Sequence, residues 1–122
     1  MAKFDVFEAY VSFEQASHEG KNRPVVIVDL RDFEKPFGAL AIYSDKPKFH
    51  ANHTQKFYQS FLYEIEDILS AGLNKKSFVD VRVLIDYTFQ QIMFNAKYRG
   101  KLSAKDASGL IDKLEDYHSA NL

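Results

Sequence analysis

The sequence predicts a small, curved, mostly antiparallel β domain with one late helix. Three observations lead there. Apolar residues alternate with period two at 6–13 and 78–87, the pattern of half-buried strands. Polar stretches punctuated by Gly and Pro separate the apolar ones. The clearest helical spacing comes last, after Ser103. Strands followed by a helix make an α+β layout that is mainly β.

The elements follow in order. Phe7, Ala9, Val11 and Phe13 form one face of a first strand, with Val6, Glu8, Tyr10 and Ser12 on the other. Residues 14–22 are polar and read as a loop. The apolar run at 24–30 reads as a second, central strand, with Pro24 at its start, where no ladder donor is needed. Residues 31–38 read as a charged turn and 39–44 as a third strand. Residues 45–55, rich in Lys and His, read as a second loop. Phe57 to Glu66 reads as a strand, and 67–71 as a short helical turn stopped by Gly72. Phe78 to Tyr87 reads as one strand, which sets Asp80 and Arg82 on the same face. Residues 90–94 are ambiguous and can continue the sheet. Arg99-Gly100-Lys101 reads as a turn. Ser103 then caps a helix, with Asp106 three residues on, and Ala107, Leu110, Ile111, Leu114 and Tyr117 form its apolar face. Gly109 inside that helix costs about 1 kcal/mol relative to alanine.

Composition bounds the function. The 122 residues make one domain, 1–122, and 46% hydrophobic content with 11 Phe and 7 Tyr supplies a bulky core. There is no Cys, which excludes disulfides and thiolate metal sites. No apolar run is long enough to span a membrane, and charge interrupts the first residues, so a cytoplasmic protein is expected. Net charge is −1, which gives no support to a broad electrostatic hold on nucleic acid but leaves room for a local basic groove.

The chemistry centres on Gly20-Lys21-Asn22-Arg23-Pro24-Val25-Val26-Ile27-Val28. β-Branched residues make the strand rigid, so Arg23 is anchored where a phosphate-binding side chain is useful. The simpler reading is an arginine that solvates a loop end. Lys46, Lys48 and Lys56 suit phosphates, and Phe49 and Tyr58 suit base stacking, but solvated lysines and core aromatics fit the same pattern. His50 and His53 have i, i+3 spacing without a third ligand, so no metal site is expected. No cofactor motif is present.

Five segments, in order, resemble the PemK/MazF-like toxins of type II toxin–antitoxin systems. They are Gly20 to Val28, Ala41-Ile42-Tyr43-Ser44-Asp45, Tyr63 to Leu73, Lys76-Ser77-Phe78-Val79-Asp80, and Gly100-Lys101-Leu102-Ser103 with Asp106. The resemblance covers roughly residues 6 to 116. It implies a small antiparallel SH3-like barrel that pairs as a homodimer. It implies an endoribonuclease that cleaves single-stranded RNA without metal, leaving a 2′,3′-cyclic phosphate, and that a cognate antitoxin neutralises.

On that resemblance Arg23 matches the family's catalytic arginine, whose forked, permanently charged guanidinium suits a crowded phosphate. The family's second residue is a Ser or Thr hydroxyl at the end of the third strand. Here Tyr43 stands in its place and Ser44 follows. The two face opposite ways, so only one can serve, and Ser44 is preferred for its size. The family's Arg-x-Asp pair is reversed as Asp80-Val81-Arg82, which suits either a groove role or a surface ion pair. His18 and Glu19 fall in the loop that closes over RNA in the family, and a histidine, with its ordinary pKa near neutrality, can serve there as a base. Lys21, Lys46 and Lys48 complete the expected RNA-binding set. Two other functions compete: a non-catalytic binding protein on the same fold, favoured by the displaced Thr, and a gyrase inhibitor on the related CcdB scaffold.

Overall fold

A computed structural model describes residues 1–13, 16–30 and 37–120, with the side chains of 12–19 outside that description. Seven strands form one mainly antiparallel sheet, followed by a C-terminal helix. The strands are β1 (Asp5–Phe13), β2 (Ala16–Asp29), β3 (Phe37–Ser44), β4 (Leu62–Glu64), β5 (Ser77–Asp80), β6 (Ile85–Tyr87) and β7 (Lys97–Lys101). Their order is β4-β5-β3-β2-β1-β7, and β6 also pairs with β3. The apolar run at Val25–Val28 sits centrally, between β1 and β3, as its continuous burial requires.

Both faces of the sheet are covered. One face buries Val6, Val26, Leu40, Ile42 and Val79 against Phe61, Ile65, Leu73 and Leu110. The other buries Phe7, Ala9, Val25, Ile27 and Ala39 against Tyr87 and Ile92. Helix α3 (Ala104–Ala120) brings Leu110 to the first face, and α2 (Phe89–Asn95) brings Ile92 to the second. Burial also pushes the Tyr87 hydroxyl up to about 12; that hydroxyl donates to the Tyr10 carbonyl at 2.8 Å.

Several elements differ from the sequence reading, each for a local reason. Residues 16–22 are not loop but the first half of β2, because the backbone of β1 supplies a full set of partners: Ser12 faces Gly20 and Val11 faces Lys21. Ladder hydrogen bonds do not require apolar side chains. The expected strand 57–66 is helix α1 (Gln55–Gln59) followed by the short β4. Phe57 and Phe61 lie four apart, and their rings meet edge to face at 5.0 Å. The expected strand 78–87 is broken into β5 and β6, which share one edge of β3. Asp80 causes the break: its carboxylate accepts from the Arg82 backbone N–H at 2.9 Å, an Asx-type turn.

Residues 90–94 belong to α2, not to the sheet. A capping box starts that helix, with the Gln91 N–H donating to Thr88 Oγ1 and the Thr88 N–H donating to Gln91 Oε1. Residues 99–101 are part of β7, paired to β1 across a bulge. The charged turn expected at 31–36 lies outside the described residues. Ser103 does start α3, accepting from the Asp106 N–H at 3.1 Å. The turn before Gly72 ends as expected. Gly72 has φ +74, with its N–H bonded to Leu69 and the Leu73 N–H bonded to Ile68, the Schellman pattern. No helix among the described residues is long and apolar enough to cross a membrane.

Candidate functional site

The register of β2 and β3 builds the site. Val25 pairs with Ala41, so two residues further along each strand Arg23 and Tyr43 come together on one face. The Arg23 guanidinium lies over the Tyr43 ring, 4.2 Å from its centroid. Arg23 is 7% exposed, and its Nε is buried with no hydrogen-bond partner among the described residues. A buried donor left unpaired is rare and costs about 1–3 kcal/mol. Among the described residues no carboxylate pairs with Arg23.

Tyr43 itself pairs with Phe78 on β5, which extends the same face to Asp80. A cleft of about 160 Å³ opens there, with Tyr43, Lys46, Phe61, Asp80 and Arg82 in its walls. Arg23 is not among its lining residues; it meets the cleft through the Tyr43 ring. The short 3₁₀ turn Pro47–Phe49 and α1 close the far side, where Phe49 stacks at 4.9 Å on Tyr58 and at 5.5 Å on Phe78. Phe49 is thus a buried support of the wall.

Cations gather at this cleft. Lys46 Nζ stands 5.7 Å from the centroid of the same Tyr43 ring. Partial burial, and then the charges of Lys48, Arg23 and Lys21, hold the Lys46 ammonium below its ordinary range. Four like charges within electrostatic reach of one another are unfavourable unless an anion shares them. Arg82 is paired with Asp80, by Nη2 to Oδ2 at 2.8 Å, and its guanidinium covers Phe61 at 3.8 Å. The Asp80 bonds hold Arg82 above its ordinary pKa.

The structure therefore brings Arg23, Tyr43, Lys46 and Lys21 together, with Lys48, Asp80 and Arg82 along the same cleft. Ser44 does not join them. It is exposed, pairs with Ser77, and faces the side of β3 opposite Tyr43. The size preference for Ser44 overlooked the register. His18 and Glu19 lie in β2 rather than in a loop, with side chains outside the described residues. His50 is bonded to Asp45 at 2.6 Å, and no group of three His, Cys, Asp or Glu among the described residues is placed to hold a metal.

No protein-family model matches the chain, and no curated protein matches it. Solved structures do. The chain overlays a chain of MazE–MazF from Deinococcus radiodurans in its Form-III crystal with a TM-score of 0.63, at 10% identity, over 98% of this chain and 96% of that one. The chain has the MazF fold. The Form-II crystal of the same complex gives a TM-score of 0.62 at 12% identity, with the same coverage.

Within the MazF fold, the part of this site that sequence reading missed is Phe61. It was assigned to a strand, yet it forms the floor under Arg82. The i, i+4 spacing of Phe57 and Phe61 was the available signal.

Proposed function

We propose that this chain is the toxin of a toxin–antitoxin pair and that it cleaves single-stranded RNA. The observation that carries this is the Arg23 guanidinium stacked on Tyr43 beside Lys46, with its Nε buried and without a partner among the described residues. Such a cluster is built to receive an anion, and the MazF fold is where such a cluster is expected to meet RNA. In the reaction the RNA 2′-hydroxyl attacks its own phosphorus. The 5′-oxygen leaves, giving a 2′,3′-cyclic phosphate and a 5′-hydroxyl. Arg23 and Lys46 stabilise the charge that builds on the phosphoryl oxygens, and the Tyr43 hydroxyl hydrogen-bonds one of them. Lys21 and Lys48 neutralise neighbouring phosphates. The chain acts in the cytoplasm as a homodimer, and its cognate antitoxin covers the same cleft.

Induced expression tests this. The wild-type chain arrests growth, and Arg23→Ala, shown by its melting curve to be folded, relieves the arrest. Equal arrest by the variant removes Arg23 from the mechanism. A second reading, a binding protein without catalysis, is favoured by Tyr43 standing where the family's small hydroxyl residue is expected and by the low exposure of Arg23. It predicts that purified protein leaves long RNA intact.

A further inference from the structure

We propose that Arg82 is a fixed nucleobase reader that selects guanine, through its Hoogsteen edge, next to the phosphate seat. This rests on the single-stranded RNA reading above. Asp80 immobilises the guanidinium. It accepts from the Arg82 backbone N–H at 2.9 Å, from Nε at 3.1 and 3.2 Å, and from Nη2 at 2.8 Å. Two bonds reach each carboxylate oxygen, which uses the four lone-pair sites a carboxylate offers. Phe61 then packs one face of the guanidinium at 3.8 Å. The Arg82 side chain remains 41% exposed, whereas that of Asp80 is 12% exposed.

What remains available at Arg82 is its outer edge. Nη1 has no partner among the described residues, and Nη2 uses one of its two hydrogens on Asp80. The other charged groups on the cleft, Lys46 and Lys48, are donors as well. Among the described residues the one carboxylate in the wall, Asp80, is already saturated. The charged groups of the cleft thus offer donors and no free acceptor. Among the bases, guanine alone shows two adjacent acceptors, O6 and N7, on an edge without a donor. Adenine places an amino group beside N7, and cytosine presents one at C4. In uracil the O4 acceptor lies beside the N3–H donor. A planar fork matches the guanine pair, and here the fork is pinned in advance, so little side-chain freedom is lost on binding.

The test is binding, separated from cleavage. Short 2′-O-methyl uridine oligomers cannot be cleaved by 2′-hydroxyl attack, and their fluorescence anisotropy reads affinity alone. One central residue is uridine, guanosine, 7-deazaguanosine, adenosine or cytidine. The guanosine oligomer is expected to bind about tenfold more tightly than the others. Replacement by 7-deazaguanosine removes N7 and abolishes that advantage without altering the protein. Arg82→Lys, which keeps the charge but not the fork, brings the guanosine oligomer down to the all-uridine one. Equal affinity for every oligomer, or preference for adenosine or cytidine, overturns the inference and leaves the RNA reading standing. A guanosine preference that survives both 7-deazaguanosine and Arg82→Lys places the reading elsewhere and also overturns it. If no oligomer binds, the RNA reading falls and this one with it.

Discussion

Tyr43 is the hydroxyl residue that lies beside the Arg23 guanidinium. It shares a face with Arg23 because both strands alternate with period two from the Val25–Ala41 pair. Its ring also screens the guanidinium, so removing the whole side chain changes two things at once. Tyr43→Phe changes one. It keeps the cation–π surface and deletes the hydroxyl, and RNA cleavage by the purified variant is expected to fall tenfold or more, about the worth of a hydrogen bond to a charged group. Ser44→Ala leaves the rate unchanged. Loss of activity in the serine variant alone would reverse the assignment. The sequence made the choice between these neighbours visible but not its outcome: size favoured Ser44, whereas register, which needs the partner strand, favours Tyr43.

At the scale of elements, one buried carboxylate ties the start of α3 to β4 and the turn after it. Asp106 is fully buried. It accepts from the Tyr63 hydroxyl at 2.7 Å, from the Glu66 and Asp67 N–H groups at 2.9 Å each, and from Ser103 Oγ at 3.2 Å. Burial alone would raise its pKa, but these bonds together hold it below the ordinary carboxylate value, while burial and the bond to Asp106 raise the Tyr63 hydroxyl. The same tyrosine explains Gly109: a Cβ there would meet the Tyr63 ring at 2.7 Å, so the helix accepts a glycine to let the ring lie across it. Because the folded pKa of Asp106 is depressed, its contribution is present above about pH 4 and is lost as pH falls through the folded value. Asp106→Ala is expected to cost about 3 kcal/mol at pH 7, from N–H groups left unpaired, and its penalty shrinks at acid pH. Urea melts of both proteins at pH 7 and below pH 3 check this, and a penalty independent of pH would contradict it. The sequence showed Ser103 and Asp106 as a helix start because capping is local. The bonds to Glu66 and Asp67 span about 40 positions, and no spacing rule reaches that far.

At the scale of the whole molecule, β3 organises the fold and the site together. β2 lies along one of its edges, while β5 and β6 divide the other, and the cleft opens at the β5-paired end, beside Tyr43. β1 was legible from its period-two alternation and the core of β2 from a continuous apolar run, which the sheet buries on both faces. The segments at 57–66 and 78–96 were not. Their aromatics serve a helix, a broken strand and a cap, and the last two are set by side-chain bonds, Asp80 to Arg82 and Gln91 to Thr88. Net charge is equally uninformative at this scale: the value of −1 conceals the cations gathered around Tyr43. The most direct test of the central claim is the end chemistry of RNA cut by the purified protein. The account predicts single-stranded RNA cleaved to fragments bearing 2′,3′-cyclic phosphate and 5′-hydroxyl ends, with the cut abolished by Arg23→Ala. Intact RNA, or fragments bearing 5′-phosphate ends, would contradict it.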